Sequence, residues 1–152
     1  MTHHEGSDNL MHIMERIPIH ELKDKAGYEL PALVFEIDKT LVGRFAAAVG
    51  DDSPRWHTEA PPSLIPALGF DRVYELLASS DEVAVLHGAT EVEFFQRVSL
   101  GDTVTMKAKI ASARERISAG KTTIFVNVEV AYSNQLNQPV AACRQTAIVT
   151  TK

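Results

Sequence analysis

The sequence holds one cysteine and one tryptophan, and no apolar run long enough to span a bilayer. A single cysteine, Cys143, excludes an intrachain disulfide, so the fold must rest on its packed core. Its neighbours Ala141, Ala142 and Arg144 read as strand residues, so Cys143 is expected as a small buried apolar side chain rather than a nucleophile. Positive charge is also short. Lys and Arg number 15 against 20 Asp and Glu, and the net charge of -5 argues against a general nucleic-acid-binding face. The first residues, MTHHEGSDNL, lack the charged-then-apolar pattern of a secretory leader. His3 and His4 fall short of the four ligands a zinc site normally takes. The expectation is a cytoplasmic protein with no metal and no nucleic-acid or membrane partner.

What is present fits one domain with one core. An N-terminal extension is expected over residues 1–29, with a short helix from Asn9 to Ile17, and a single domain over residues 30–152. Ala32 to Ile37 is short, apolar and branched, and predicts a strand. Asp38 then caps a helix whose Leu41, Val42, Phe45 and Val49 share one face, and Gly50 ends it. A second helix is expected from Ser63, interrupted at Gly69, with Asp71 capping a further piece that turns Val73, Leu76 and Leu77 inward. From Val83 the pattern changes to strands. Val83–Phe95 carries an irregularity at Gly88, Val104–Ile110 alternates, Ser118–Lys121 is a hairpin turn, Ile124–Tyr132 alternates again, and Val140–Thr150 closes the chain. Short links make these strands antiparallel. The fold class is therefore α+β, an antiparallel sheet with helices on one face, and wrapping that sheet around a central helix satisfies both apolar surfaces.

Between the two helices lies the stretch with the densest chemistry, Asp51, Asp52, Arg55, Trp56, His57 and Glu59. Pro61 and Pro62 keep its end extended, and the helix after them is expected to turn unpaired N–H groups toward the loop, a setting for a carbonyl oxygen or an anion. Each residue has a plainer reading as well. Asp51 after a glycine forms a turn, Trp56 anchors the loop to the sheet, Ser63 caps a helix, and Asp102 closes a turn. His57 stands evenly between a site residue and a surface histidine. Arg55, Arg97, Arg114, Arg116 and Lys121 can meet phosphates, or simply form a solvated face.

Three segments resemble the MaoC-like dehydratases and hydratases, in particular the N-terminal type of hotdog domain. FAAAVGDDSPRWH (Phe45–His57) is similar to that family's F-A-x-x-x-G-D-x-N-P helix end and loop. APPSL (Ala60–Leu64) is similar to the start of its central helix, and LHGATEVEFFQRVSLGDTVT (Leu86–Thr105) to its H-G and R-P-x-x-x-G-D strand segment. The resemblance implies a hotdog fold, a sheet wrapped round a central helix, over roughly residues 30–150. It also implies chemistry on acyl thioesters of coenzyme A or acyl carrier protein: loss of water from a (3R)-3-hydroxyacyl thioester or its addition to an enoyl thioester, with no further cofactor. By the same implication Asp51 and His57 are the catalytic pair, and Trp56, Ser63, Leu64 and Arg97 bind substrate, with backbone N–H groups of Ser63 and Leu64 on the thioester carbonyl. A homodimer, or a heterodimer with a catalytic MaoC-like subunit, is the implied assembly. The family motif D-x-N-P-x-H is altered here. Anchored on Pro54, Ser53 replaces Asn, Trp56 takes the histidine position, and His57 lies one residue late. Two alternatives follow, a non-catalytic acyl-binding subunit and a hotdog thioesterase using Glu59, Asp51 or Asp52.

Overall fold

A computed structural model describes residues 16–152. Five antiparallel strands form one sheet: β1 (Leu33–Glu36), β2 (Val83–Phe94), β3 (Thr103–Ser118), β4 (Lys121–Ser133) and β5 (Pro139–Thr151), in the order β1-β3-β4-β5-β2. Four helices accompany them: α1 (Ile19–Leu22), α2 (Lys39–Val49), α3 (Leu64–Ala67) and α4 (Phe70–Leu77). Residues 9–15 of the expected Asn9–Ile17 helix lie outside the described residues, and Arg16 and Ile17 are not helical. Ile17 and Leu22 are buried in the same core as the strands, so the end of the expected extension packs as part of the domain.

Alternation in the strands decides the layers. On β4, Ile124, Val126, Val128, Val130 and Tyr132 are buried, and opposite them on β5 stand Val149, Ala147, Gln145, Cys143 and Ala141. This inner face packs on Leu64 and Ile65 of α3 and on Val73, Leu76 and Leu77 of α4, all buried. Each such aliphatic side chain contributes about 1.5–3 kcal/mol on removal from water. Bulges within β2 and β3 reset the alternation. One falls at Gly88 in β2, where a Cβ would stand 3.0 Å from the Thr146 carbonyl oxygen. The other, between Ile110 and Ser112 in β3, brings Arg114 and Arg116 to the same outer face as Lys107 and Lys109.

Local signals explain the element ends. The Asp38 carboxylate accepts from the Leu41 N–H at 2.8 Å and starts α2. Gly50, at φ 71°, ends it in the left-handed conformation. Ala119 and Gly120 both have positive φ, the two-residue turn that suits the twist of β3 and β4. The break between α3 and α4 falls at Gly69 as expected, but Gly69 itself is the residue before α4, and Asp71 lies inside its first turn rather than capping it. Tyr132 secures this break from below, its hydroxyl donating to the Leu68 carbonyl at 2.9 Å.

Gly69 combines φ 78° with a backbone so close to Met106 that a Cβ would collide with its sulfur, whereas a Cβ on Gly50 meets open space. Gly69→Ala should therefore cost more stability in urea melts than Gly50→Ala, about 2–4 kcal/mol against about 1 kcal/mol. Equal costs would mean that the helix break is not pressed against the sheet.

Candidate functional site

Residues 50–60 form a compact hydrogen-bonded turn rather than an open loop. The Asp51 N–H donates to the Ala46 carbonyl at 2.9 Å, and its carboxylate accepts from the Ser53 N–H at 3.1 Å. The Ser53 hydroxyl accepts in turn from the Arg55 N–H at 3.4 Å, opening a one-turn 3-10 helix over Pro54–His57. Proline at its first position favours that turn, which the loop expectation missed. Asp51 thus makes the local hydrogen bond of a turn residue. His57 is exposed, and among the described residues no hydrogen bond joins it to Asp51. Trp56 packs against the core, as an anchor should, and its buried indole N–H has no acceptor among the described residues.

The sequence expectation about the helix start is corrected. Ser63 makes no side-chain cap. The Leu64 N–H donates to the Pro61 carbonyl at 3.0 Å and the Ile65 N–H to the Pro62 carbonyl at 3.2 Å. The two prolines bring their own carbonyls within reach of the first-turn amides, so of the expected Ser63–Leu64 pair only the Ser63 N–H is unbonded among the described residues.

A cleft of about 220 Å³ opens beside this turn, between α3 and the end of β2. Ile65, Phe94 and Phe95 give it apolar walls, and Arg55, Glu59 and Arg97 form a charged rim. Glu59 organises the rim. Its Oε1 accepts from Arg55 Nε at 2.9 Å, and its Oε2 lies 3.8 Å from Arg97 Nη1. The Arg55 guanidinium also covers the Trp56 ring at 5.1 Å. A bridge pairing Glu59 with Ser99, and the Ala60 N–H on the Val98 carbonyl at 2.8 Å, tie the loop to the segment after β2. Of the expected site residues, Arg97 lines the cleft and Trp56 lies under its rim, while Asp51, His57, Ser63 and Leu64 are not among its lining residues. Phe94 and Phe95 were missed; Phe94 ends β2 and Phe95 follows it, and both rings reach the cleft.

A larger concavity of about 920 Å³ lies across the middle of the sheet, walled by Glu91, Glu93, Lys107, Lys109, Glu129 and Arg144. Its central charges satisfy one another, with Lys109 and Arg144 at 3.6 Å and 3.4 Å from Glu129. Leu30, Ala32 and Val92 line it as well, but its centre is taken up by these exposed ion pairs, as on a solvated sheet face. The inner face carries two perturbed groups. Burial, with the Cys143 charge adding, holds the Tyr132 phenol above its ordinary range. Burial also raises the Cys143 thiol, with the neighbouring Gln145 side chain opposing it.

Residues 25–143 match the family model described as FAS1-like, dehydratase domain region. No curated protein matches the chain. Among solved structures, R-hydratase PhaJ1 from Pseudomonas aeruginosa is similar with a TM-score of 0.61 and 18% identity, over 90% of this chain and 91% of that one. The truncated HadBC (3R-hydroxyacyl-ACP dehydratase) complex from Mycobacterium tuberculosis gives 0.67 and 19%, over 84% and 98%. The ChsH1-ChsH2 complex from Mycobacterium tuberculosis gives 0.63 and 14%, over 86% and 87%. At these identities the likeness concerns the fold. No helix among the described residues is long and apolar enough to cross a membrane.

A raised thiol pKa means less thiolate at any given pH, and thiolate is the reactive form. Cys143 should react with a chromogenic disulfide reagent at mildly alkaline pH far more slowly in the native protein than in denaturant. Rapid stoichiometric labelling of the native protein would place the thiol outside the core.

Proposed function

The chain belongs to the FAS1-like dehydratase-region family of MaoC-like hotdog proteins, and from that premise we propose that it binds an acyl thioester as the substrate-holding half of a hydratase/dehydratase. The substrate is an acyl group on coenzyme A or acyl carrier protein, the setting is the cytoplasm, and no further cofactor enters. The reaction served is the reversible loss of water from a (3R)-3-hydroxyacyl thioester. In this reading the carrier approaches over Arg55 and Arg97, the acyl group passes Phe94 and Ile65, and the Ser63 N–H is the free donor nearest the helix start.

One observation carries the choice of a supporting role. The Asp51 carboxylate is bonded to the Ser53 amide, and the family's histidine position is filled by Trp56. An indole has an N–H to donate and no basic nitrogen, so it cannot take a proton from water. Without a general base about 10²–10⁴-fold of rate is lost. A partner chain with an intact acid–base pair would restore it, and the two-chain HadBC and ChsH1-ChsH2 structures make such pairing a natural arrangement. Edge strand β2, with Leu86 55% exposed, offers an unpaired edge for that partner. The alternative in which this chain pairs with itself requires Asp51 and His57 to hold one shared water. In the thioesterase alternative both oxygens of Glu59 face guanidinium groups and the Asp51 carboxylate is bonded to the Ser53 amide, which leaves Asp52 to activate water.

Hydration of a crotonyl thioester, followed by loss of enoyl absorbance, tests the reading. The purified chain alone should show weak or no turnover, and mixing it with a MaoC-like partner that carries a complete D-x-N-P-x-H loop should raise it. Fast turnover by the chain alone that falls about 10²–10⁴-fold in Asp51→Asn or His57→Ala would contradict it.

A further inference from the structure

The inner face of β2 is only partly roofed. Register with β5 puts Val85, His87, Thr90, Val92 and Phe94 on the inner side, opposite Val149, Ala147, Gln145, Cys143 and Ala141. Val149, Gln145, Cys143 and Ala141 are buried, yet His87, Thr90 and Phe94 are exposed. The helical layer therefore covers β5 and reaches Val83, Val85 and Val92 of the edge strand, but leaves His87, Thr90 and Phe94 open. The uncovered strip runs from Phe94, in the wall of the cleft, to His87, about 20 Å along the strand. Its far end is bounded by Phe70 at the start of α4, whose ring meets the His87 ring edge-on at 6.1 Å.

One polar group on this face is not accounted for. Gln145 is only 5% exposed, and its Oε1 has no hydrogen-bond partner among the described residues. Thr90, directly opposite, turns its hydroxyl to His87 Nε2 at 3.1 Å instead. A buried acceptor without a donor is a standing penalty, relieved by an incoming O–H or N–H and not by a methylene. The position is four residues beyond Phe94, about 13 Å from the cleft wall.

We propose that Gln145 is a specificity-determining residue, whose Oε1 accepts a hydrogen bond from a hydroxyl or amide borne on the acyl chain of a thioester lying along the inner strip of β2. This rests on the thioester-binding reading above. The ligand class is then an acyl group polar well beyond its thioester end, rather than a plain alkyl chain. Alkyl carbons pack against Val92 and Phe94, and the donor reaches Gln145 where Thr90 marks the open side.

The test uses the full chain and its one tryptophan, Trp56, as the fluorescent reporter beside the cleft. Two S-alkyl pantetheines of equal length serve as probes, one plain and one hydroxylated toward the chain end, with calorimetry as a second readout. The wild type should prefer the hydroxylated probe by roughly three- to tenfold, the range of one net hydrogen bond. Gln145→Met should equalise the two, with a melting temperature no lower than wild type because an unmatched acceptor has been removed. Should that variant fail to fold, Gln145→Asn, which withdraws the acceptor by one methylene, should reduce the same preference. Equal binding of the probes by wild type, or an undiminished preference in the variant, overturns the role of Gln145 and leaves thioester binding standing. No fluorescence change and no heat with either probe overturns thioester binding, and the role of Gln145 with it.

Discussion

The structure depends on how the broken inner helix is held against the sheet. Leu68 and Gly69 separate α3 from α4, and two contacts fix that break: the Tyr132 hydroxyl on the Leu68 carbonyl, and the bare Gly69 backbone against Met106. A residue with a Cβ would hold the helix away from β3, and a phenylalanine in place of Tyr132 would leave a buried carbonyl without its donor. With the break fixed, α3 and α4 press Leu64, Ile65, Val73, Leu76 and Leu77 into one core with the alternating residues of β3, β4 and β5. The inner strip of β2 is covered only in part, and its exposed Phe94 becomes a wall of the cleft.

The turn before α3 completes the other wall. Pro61 and Pro62 cannot donate, but their carbonyls take up the Leu64 and Ile65 amides, so of the first amides at the helix start only that of Ser63 is left unbonded among the described residues. The polar character of the cleft comes instead from its rim. Glu59 holds Arg55 and Arg97 on the two oxygens of one carboxylate, a join between the loop and the segment after β2 in which both arginines stay exposed. Such a rim is suited to the negative end of a long ligand whose apolar end enters the protein.

Much of the fold was legible because local and global preferences agree. Alternation in Ile124–Tyr132 marks β4, Asp38 and Gly50 mark the ends of α2, and the bulge falls at Gly88 where the backbone meets Thr146. The three segments that carried the family resemblance lie within the matched residues 25–143. The site was less legible, because its residues meet only through the sheet. Arg97 could be placed from a motif, but its tie to Glu59 depends on pairing between Glu59 and Ser99, distant in the chain. The Ser63 cap failed because two neighbouring prolines changed which carbonyl the first amides reach, a competition that residue preference alone does not resolve. Gln145 reads as one polar residue in an apolar strand, and only the register that sets it opposite Thr90 exposes the missing donor.

The central claim is that the ligand enters the cleft between α3 and β2, not the larger concavity of the charged sheet face. Amide chemical-shift mapping during titration with an acyl-pantetheine thioether tests it most directly. The account predicts that the largest shifts fall at Ile65, at Phe94 to Arg97, and along the inner residues of β2. Shifts centred on Lys107, Lys109, Glu129 and Arg144, with Ile65 and Phe94 unmoved, would contradict it.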